Sequence, residues 1–168
     1  ILIGISFGMM FLHKHHIINR DLKPENVLLD TNYKPCLTDF NLSKSFDPKN
    51  SINQSMTCCG TVLYMAPEVF YGNNYNTKID VYSFGILMYE IVSGIRAYKD
   101  IKIQSIPIFF KEVSEGLRPQ LNENIRKENS GLAQIIDLCL LKDPKERPTF
   151  REIFKKLSLL SYDYFSKY

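Results

Sequence analysis

The 168 residues are 45% hydrophobic and 12% aromatic, enough apolar material for one substantial core. Charged residues make up 23%, near the globular average, which argues against wholesale disorder. The net charge of +3 is scattered among carboxylates rather than gathered into a basic stripe, so no nucleic-acid partner is expected.

Cys36, Cys58, Cys59 and Cys139 form no Cys-x-x-Cys pair and no regular framework. Neither zinc nor a disulfide scaffold is expected, and the thiols are expected to be reduced, in the cytosol or nucleus. His13, His15 and His16 lack the one-turn spacing of a helical metal pair, and no acidic residue adjoins them. No signal peptide is expected, because a charged leading region and a small-residue cleavage site are missing. No apolar run approaches the roughly 20 residues that span a bilayer, so no membrane partner is expected either.

In chain order, Ile1, Ile5, Met9 and Leu12 recur at helical spacing and predict a buried helix over 1–12. It has no capping residue at its start, as in an element already under way. Ile17 and Ile18 suit a very short strand before the polar loop 19–26. Val27, Leu28 and Leu29 suit a second strand, Asp30-Thr31-Asn32 a turn, and 34–38 a third strand. The stretch 41–59 is polar, rich in Ser and Asn, and aperiodic, which predicts a long loop. Residues 77–93 are apolar on nearly every face, as a central helix is, and Gly94 is placed to stop it. Amphipathic helices are predicted over 103–114, 132–141 and 149–160, with Pro107 blurring the start of the first. Pro148 suits the first turn of the last, and residues 161–168 form a short tail. The expectation is a mainly α unit with a few short β-strands.

The chemistry gathers in Asn19-Arg20-Asp21-Leu22-Lys23-Pro24-Glu25-Asn26 and, further on, Asp39-Phe40-Asn41. Phosphoryl transfer needs oxygen ligands for Mg²⁺, a cation near the moving phosphate and a base that orients the attacking hydroxyl. These two loops carry each of those groups.

With Ala66-Pro67-Glu68, Asp80 and Arg147 in the right order, the chain resembles the eukaryotic protein kinases along nearly its whole length. The resemblance implies a kinase-like fold in which residues 1–160 form the larger, C-terminal lobe alone. It implies transfer of the γ-phosphate of ATP, with Mg²⁺, to Ser or Thr hydroxyls of protein substrates by the complete protein. By position, Asp21 matches the catalytic base and Lys23 the residue that steadies the γ-phosphate. Asn26 and Asp39 match the Mg²⁺ ligands, and Leu28 the apolar floor under adenine. Asp21, Lys23 and Asn26 are thus the catalytic candidates; Lys23, Asn26, Leu28 and Asp39 are those for ATP. Glu68 and Arg147 resemble a buried ion pair, and Asp80 resembles the helix residue that braces the catalytic loop. Lys23 in its motif, with Gly60-Thr61 and Tyr64-Met65, fits the serine/threonine pattern, in which Thr61 bonds the base and the Lys. The stretches 80–85, 115–119 and 147–150 look most like the tyrosine-kinase-like group. Arg20 implies a phosphorylated activation loop, set by an upstream kinase on Ser51, Ser55 or Thr57.

The sequence also departs from the family. Asn19 replaces a histidine that packs on the Phe40 equivalent, so weaker packing is expected there. Asn41 replaces a glycine, and Asn tolerates the positive φ that glycine supplies. These changes motivate an alternative, a pseudokinase or scaffold without activity. The 168 residues contain no Gly-rich phosphate loop, no small-lobe Lys with its helix Glu, and no hinge. The isolated chain is therefore expected to have negligible activity.

Overall fold

The computed structural model describes residues 1–45, 62–72, 75–103 and 105–166. Helix α1 (Leu2–Lys14) buries Ile5, Ser6 and Met9 and runs two residues beyond the predicted end. His13 and Lys14 occupy its last turn, where the helix dipole favours cationic groups. Strand β1 (Ile17–Ile18) follows, then β2 (Val27–Leu29) and β3 (Pro35–Leu37). These last two form an antiparallel hairpin that sets Leu28 opposite Cys36. Its turn is held by Asp30, whose Oδ1 accepts from the amides of Asn32 and Lys34, both at 2.8 Å.

The hairpin lies directly on α1, and two glycines one helical turn apart permit the approach. A Cβ on Gly4 would stand 2.5 Å from Pro35 Cγ, and one on Gly8 would stand 3.0 Å from Leu37 Cδ1. The strand that leads into Asp39 is thereby fixed against α1, which is only partly buried, with Phe7 and Phe11 exposed.

Strand β4 (Lys44–Ser45) lies inside the stretch predicted as loop, and it pairs antiparallel with β1. Two polar residues carry no period of their own; the partner strand decides their conformation. Helix α2 (Pro67–Phe70) is a single turn. Helix α3 (Lys78–Ser93) is buried continuously from Ile79 to Tyr89, and Gly94 ends it in the left-handed region at φ 67°. It carries the longest buried run among the described residues, with α6 packed along it and Phe84 edge-on to Phe150 at 5.3 Å.

Helix α4 (Ile106–Glu115) starts later than predicted, because Ser105 caps it and Pro107 fits its first turn. Helix α5 (Glu123–Glu128) was not predicted; it is too polar to show an apolar period and is capped by Asn122. Helix α6 (Ser130–Cys139) packs on α3, and α7 (Phe150–Phe165) packs on α1. Thr149, not Pro148, opens α7: it forms a capping box with Glu152, and Pro148 lies just before the cap. The helix also continues past Leu160, so 161–165, predicted as tail, are helical. No Gly or Pro interrupts them.

Candidate active site

The loop 19–26 is pinned from below by Asp80 in the first turn of α3, which is 0% exposed. Asp80 Oδ2 accepts from the Asn19 amide at 2.9 Å, and Oδ1 from the Arg20 amide at 2.8 Å. The predicted brace is present. A third partner was not foreseen: His13 Nε2, from the end of α1, lies 2.8 Å from Asp80 Oδ2. With a carboxylate as its acceptor, the ring must carry its hydrogen on that nitrogen. No sequence spacing links residues so far apart in the chain.

Above this anchor, the predicted loop residues meet. Asp21 Oδ2 accepts from Lys23 Nζ at 2.7 Å and from Asn26 Nδ2 at 2.9 Å. Asn26 Nδ2 also donates to the Asp21 carbonyl at 2.9 Å. Asn26 ends a short 3₁₀ turn, Pro24–Asn26, and is buried. Its carbonyl accepts from Thr38, from the amide at 2.9 Å and from Oγ1 at 3.2 Å. Thr38 is therefore the link that sets Asp39 beside the loop, and only the fold reveals it. Asp39 is exposed, with φ 55°. Leu28 is 58% exposed on the hairpin, one face of which is left open.

One expectation is corrected here. The positive φ expected at Asn41 belongs to Asp39 instead, whose Oδ1 accepts from the Asn41 amide at 3.4 Å. Asn19 is 2% exposed, and its Oδ1 accepts from the Asp21 amide at 3.1 Å. Phe40 is 46% exposed.

The segment leading into α2 is tied to the same core. Arg147 and Glu68 form the predicted pair, two-pronged at 2.6 and 3.0 Å. Tyr64 donates to Glu90 Oε2 at 2.6 Å, and Ser83 Oγ donates to the Tyr64 carbonyl at 2.8 Å. Burial, and then the Glu90 carboxylate, hold the Tyr64 hydroxyl protonated well above the ordinary tyrosine range. Arg20 donates to the Leu42 carbonyl and, at 3.3 Å, to Tyr75 Oη. Thr61 and the hydroxyls expected to be phosphorylated, Ser51, Ser55 and Thr57, lie outside the described residues, as do Cys58 and Cys59.

The protein kinase domain family matches residues 1–158. The chain belongs to the protein kinase family. A probable serine/threonine-protein kinase of Dictyostelium discoideum is 36% identical over 154 residues, covering 92% of this chain and 11% of its own length. Cysteine-rich receptor-like protein kinase 36 of Arabidopsis thaliana is 35% identical, covering 92% of this chain and 25% of its own length. Mitogen-activated protein kinase kinase kinase 12 of Rattus norvegicus is 34% identical, covering 97% and 18% respectively. The chain thus spans a quarter or less of these relatives. The chain is mainly helical with a few short strands, as a partial protein kinase domain is.

Protein kinases use ATP and Mg²⁺, and two residues here have donor chemistry that suits the metal. Asn26 directs its amide nitrogen at Asp21, which leaves its side-chain oxygen as the group available to a cation. That oxygen and the exposed carboxylate of Asp39 are hard oxygen donors of the kind Mg²⁺ prefers. No cluster of three or more His, Cys, Asp or Glu suited to a metal occurs among the described residues. Such a pair therefore suits an ion that also takes phosphate oxygens and water.

Proposed function

We propose that the complete polypeptide is an active serine/threonine protein kinase, with Asp21 as the base that orients the substrate hydroxyl. The observation that carries this is the asymmetry of Asp21. One carboxylate oxygen, Oδ2, is engaged by Lys23 and Asn26, while Oδ1 has no partner among the described residues. The carboxylate is held in one orientation, with an acceptor left over for a hydroxyl proton. Lys23 places its ammonium beside that acceptor, where a transferring phosphoryl group gathers negative charge. Asn26 and Asp39 would hold Mg²⁺, and Leu28 offers the apolar surface on which an adenine ring rests. When bound, Mg²⁺ and ATP supply the transferable phosphoryl group and part of its charge neutralisation. The chain's own contribution is positioning: one loop carries base and cation, and Thr38 keeps the Asp39 strand in register with it. The protein substrate presents a Ser or Thr hydroxyl.

The test is phosphotransfer from labelled ATP by the complete polypeptide, with and without Mg²⁺. Asp21→Asn and Asp39→Ala are each expected to lower turnover at least about 100-fold. Wild-type protein that transfers nothing, or an Asp21→Asn variant with unaltered turnover, overturns the reading. A wild type that transfers nothing would favour the scaffold alternative, which Asn19 and Asn41 motivate.

A further inference from the structure

Asn19 occupies a position where a buried polar side chain needs a reason, since an unpaired amide there is costly. The reason is visible in its bonds. Its backbone N–H donates to Asp80 and its backbone carbonyl accepts from Ser43 Oγ at 3.4 Å, while the side-chain Oδ1 accepts from the Asp21 amide at 3.1 Å. The last is an Asx turn, in which a side-chain oxygen takes the amide hydrogen two residues on. It closes over Arg20, whose φ of 70° is a conformation that a non-glycine residue holds only when its surroundings enforce it. Asp80 enforces it from below, through the amides of residues 19 and 20. Asn19 enforces it from above, through the amide of residue 21. The backbone from which the Asp21 carboxylate projects is therefore clamped on both sides. The Ser43 bond adds a tie to the segment that follows Asp39.

We propose that Asn19 is a positioning residue for Asp21: its buried Oδ1, bonded to the Asp21 amide across Arg20, fixes the direction in which the Asp21 carboxylate is presented. This rests on Asp21 being the base. Histidine, expected at this position by resemblance, would offer a ring nitrogen there, so the amide-oxygen acceptor belongs to this chain's own sequence.

Asn19→Ser and Asn19→Ala test it, because they differ by one oxygen and both give up the larger side chain. A serine hydroxyl accepts from the same amide, more weakly, and alanine cannot. In the complete polypeptide, Ala is expected to lower kcat about 10- to 100-fold, as a misplaced reacting group does. KM for ATP should stay within about twofold, and Ser should return kcat to within about fivefold of wild type. Exchange of the Asp21 amide hydrogen should quicken in Ala and not in Ser. Equal turnover in Ser and Ala overturns the proposal whatever the amide shows, since the bond then positions nothing. If the wild type itself transfers no phosphate, the base assignment fails separately, and the Asp21 amide decides alone. Protection kept by Ser and lost by Ala upholds the clamp; equal protection in both overturns it.

Discussion

Arg147 is 1% exposed, and each of its five N–H donors has a protein acceptor. Two go to Glu68, and the others go to the carbonyls of Leu141, Lys78 and Lys142. The guanidinium also stacks 5.0 Å from the Tyr82 ring centre. Arg147→Met removes all of this and leaves the Glu68 carboxylate nearly buried and unpaired, at a cost of about 3–5 kcal/mol. Thermal unfolding should fall by about 10 °C for a chain of this size. Arg147→Lys keeps the charge but not the planar fork, so it should recover less than half of that loss. Were Lys as stable as Arg, charge alone would account for the pair and the fork would be irrelevant.

At the scale of elements, α3 and α6 are close because Gly85 has no side chain. A Cβ there would stand 2.8 Å from both Cys139 Cβ and Leu140 Cδ2. Alanine is the better helix former by about 1 kcal/mol. Overpacking against a Cβ rooted in the facing helix costs about 1–3 kcal/mol, and that effect should win. Gly85→Ala is expected to destabilise the chain in denaturant titration; a stabilised variant would mean that α6 is free to shift. Helix α7 makes a prediction in pH. Glu152 accepts from the Thr149 amide and hydroxyl at 2.7 and 2.8 Å, which hold its pKa below the ordinary 4.5. As pH falls, the unfolded chain protonates Glu152 first, so the capping box stabilises fully above 4.5 and loses its effect below, through the lower folded value. Thr149→Val should cost about 1 kcal/mol at neutral pH, and the gap in melting temperature from wild type should narrow under acid. A gap independent of pH down to full acid unfolding would remove Glu152 from the cap.

Across the whole molecule, what was legible in the sequence depended on whether a residue's partner was near it in the chain or already implied by a motif. The stretch 77–93, apolar on nearly every face, announced a central helix, and the spacing of Asp21, Lys23 and Asn26 announced a shared loop. Polar elements held by distant partners did not show: β4 needs β1, and α5 has no apolar period. His13, Thr38 and the Asx turn of Asn19 act through bonds whose partners the fold brings together, or through a turn that spacing alone does not reveal. Asp80 is where such bonds converge, joining α1, the loop 19–26 and α3 through one carboxylate. Asp80→Asn tests that convergence with almost no change of shape. Its oxygen, placed where Oδ2 stands, still accepts from Asn19 and His13. Its nitrogen then faces the Arg20 amide, donor against donor, at the residue whose φ is 70°. Losing a charge-assisted bond and leaving a part-buried N–H unpaired should cost about 3 kcal/mol. The melting temperature should fall by about 6–12 °C. The loss should be uneven: amide hydrogens of residues 19–21 should exchange faster, while those of α4 and α6, which lack any bond to Asp80, should keep their order of protection. Exchange that quickened equally in every helix would show instead that Asp80 supports the fold at large rather than the loop it touches.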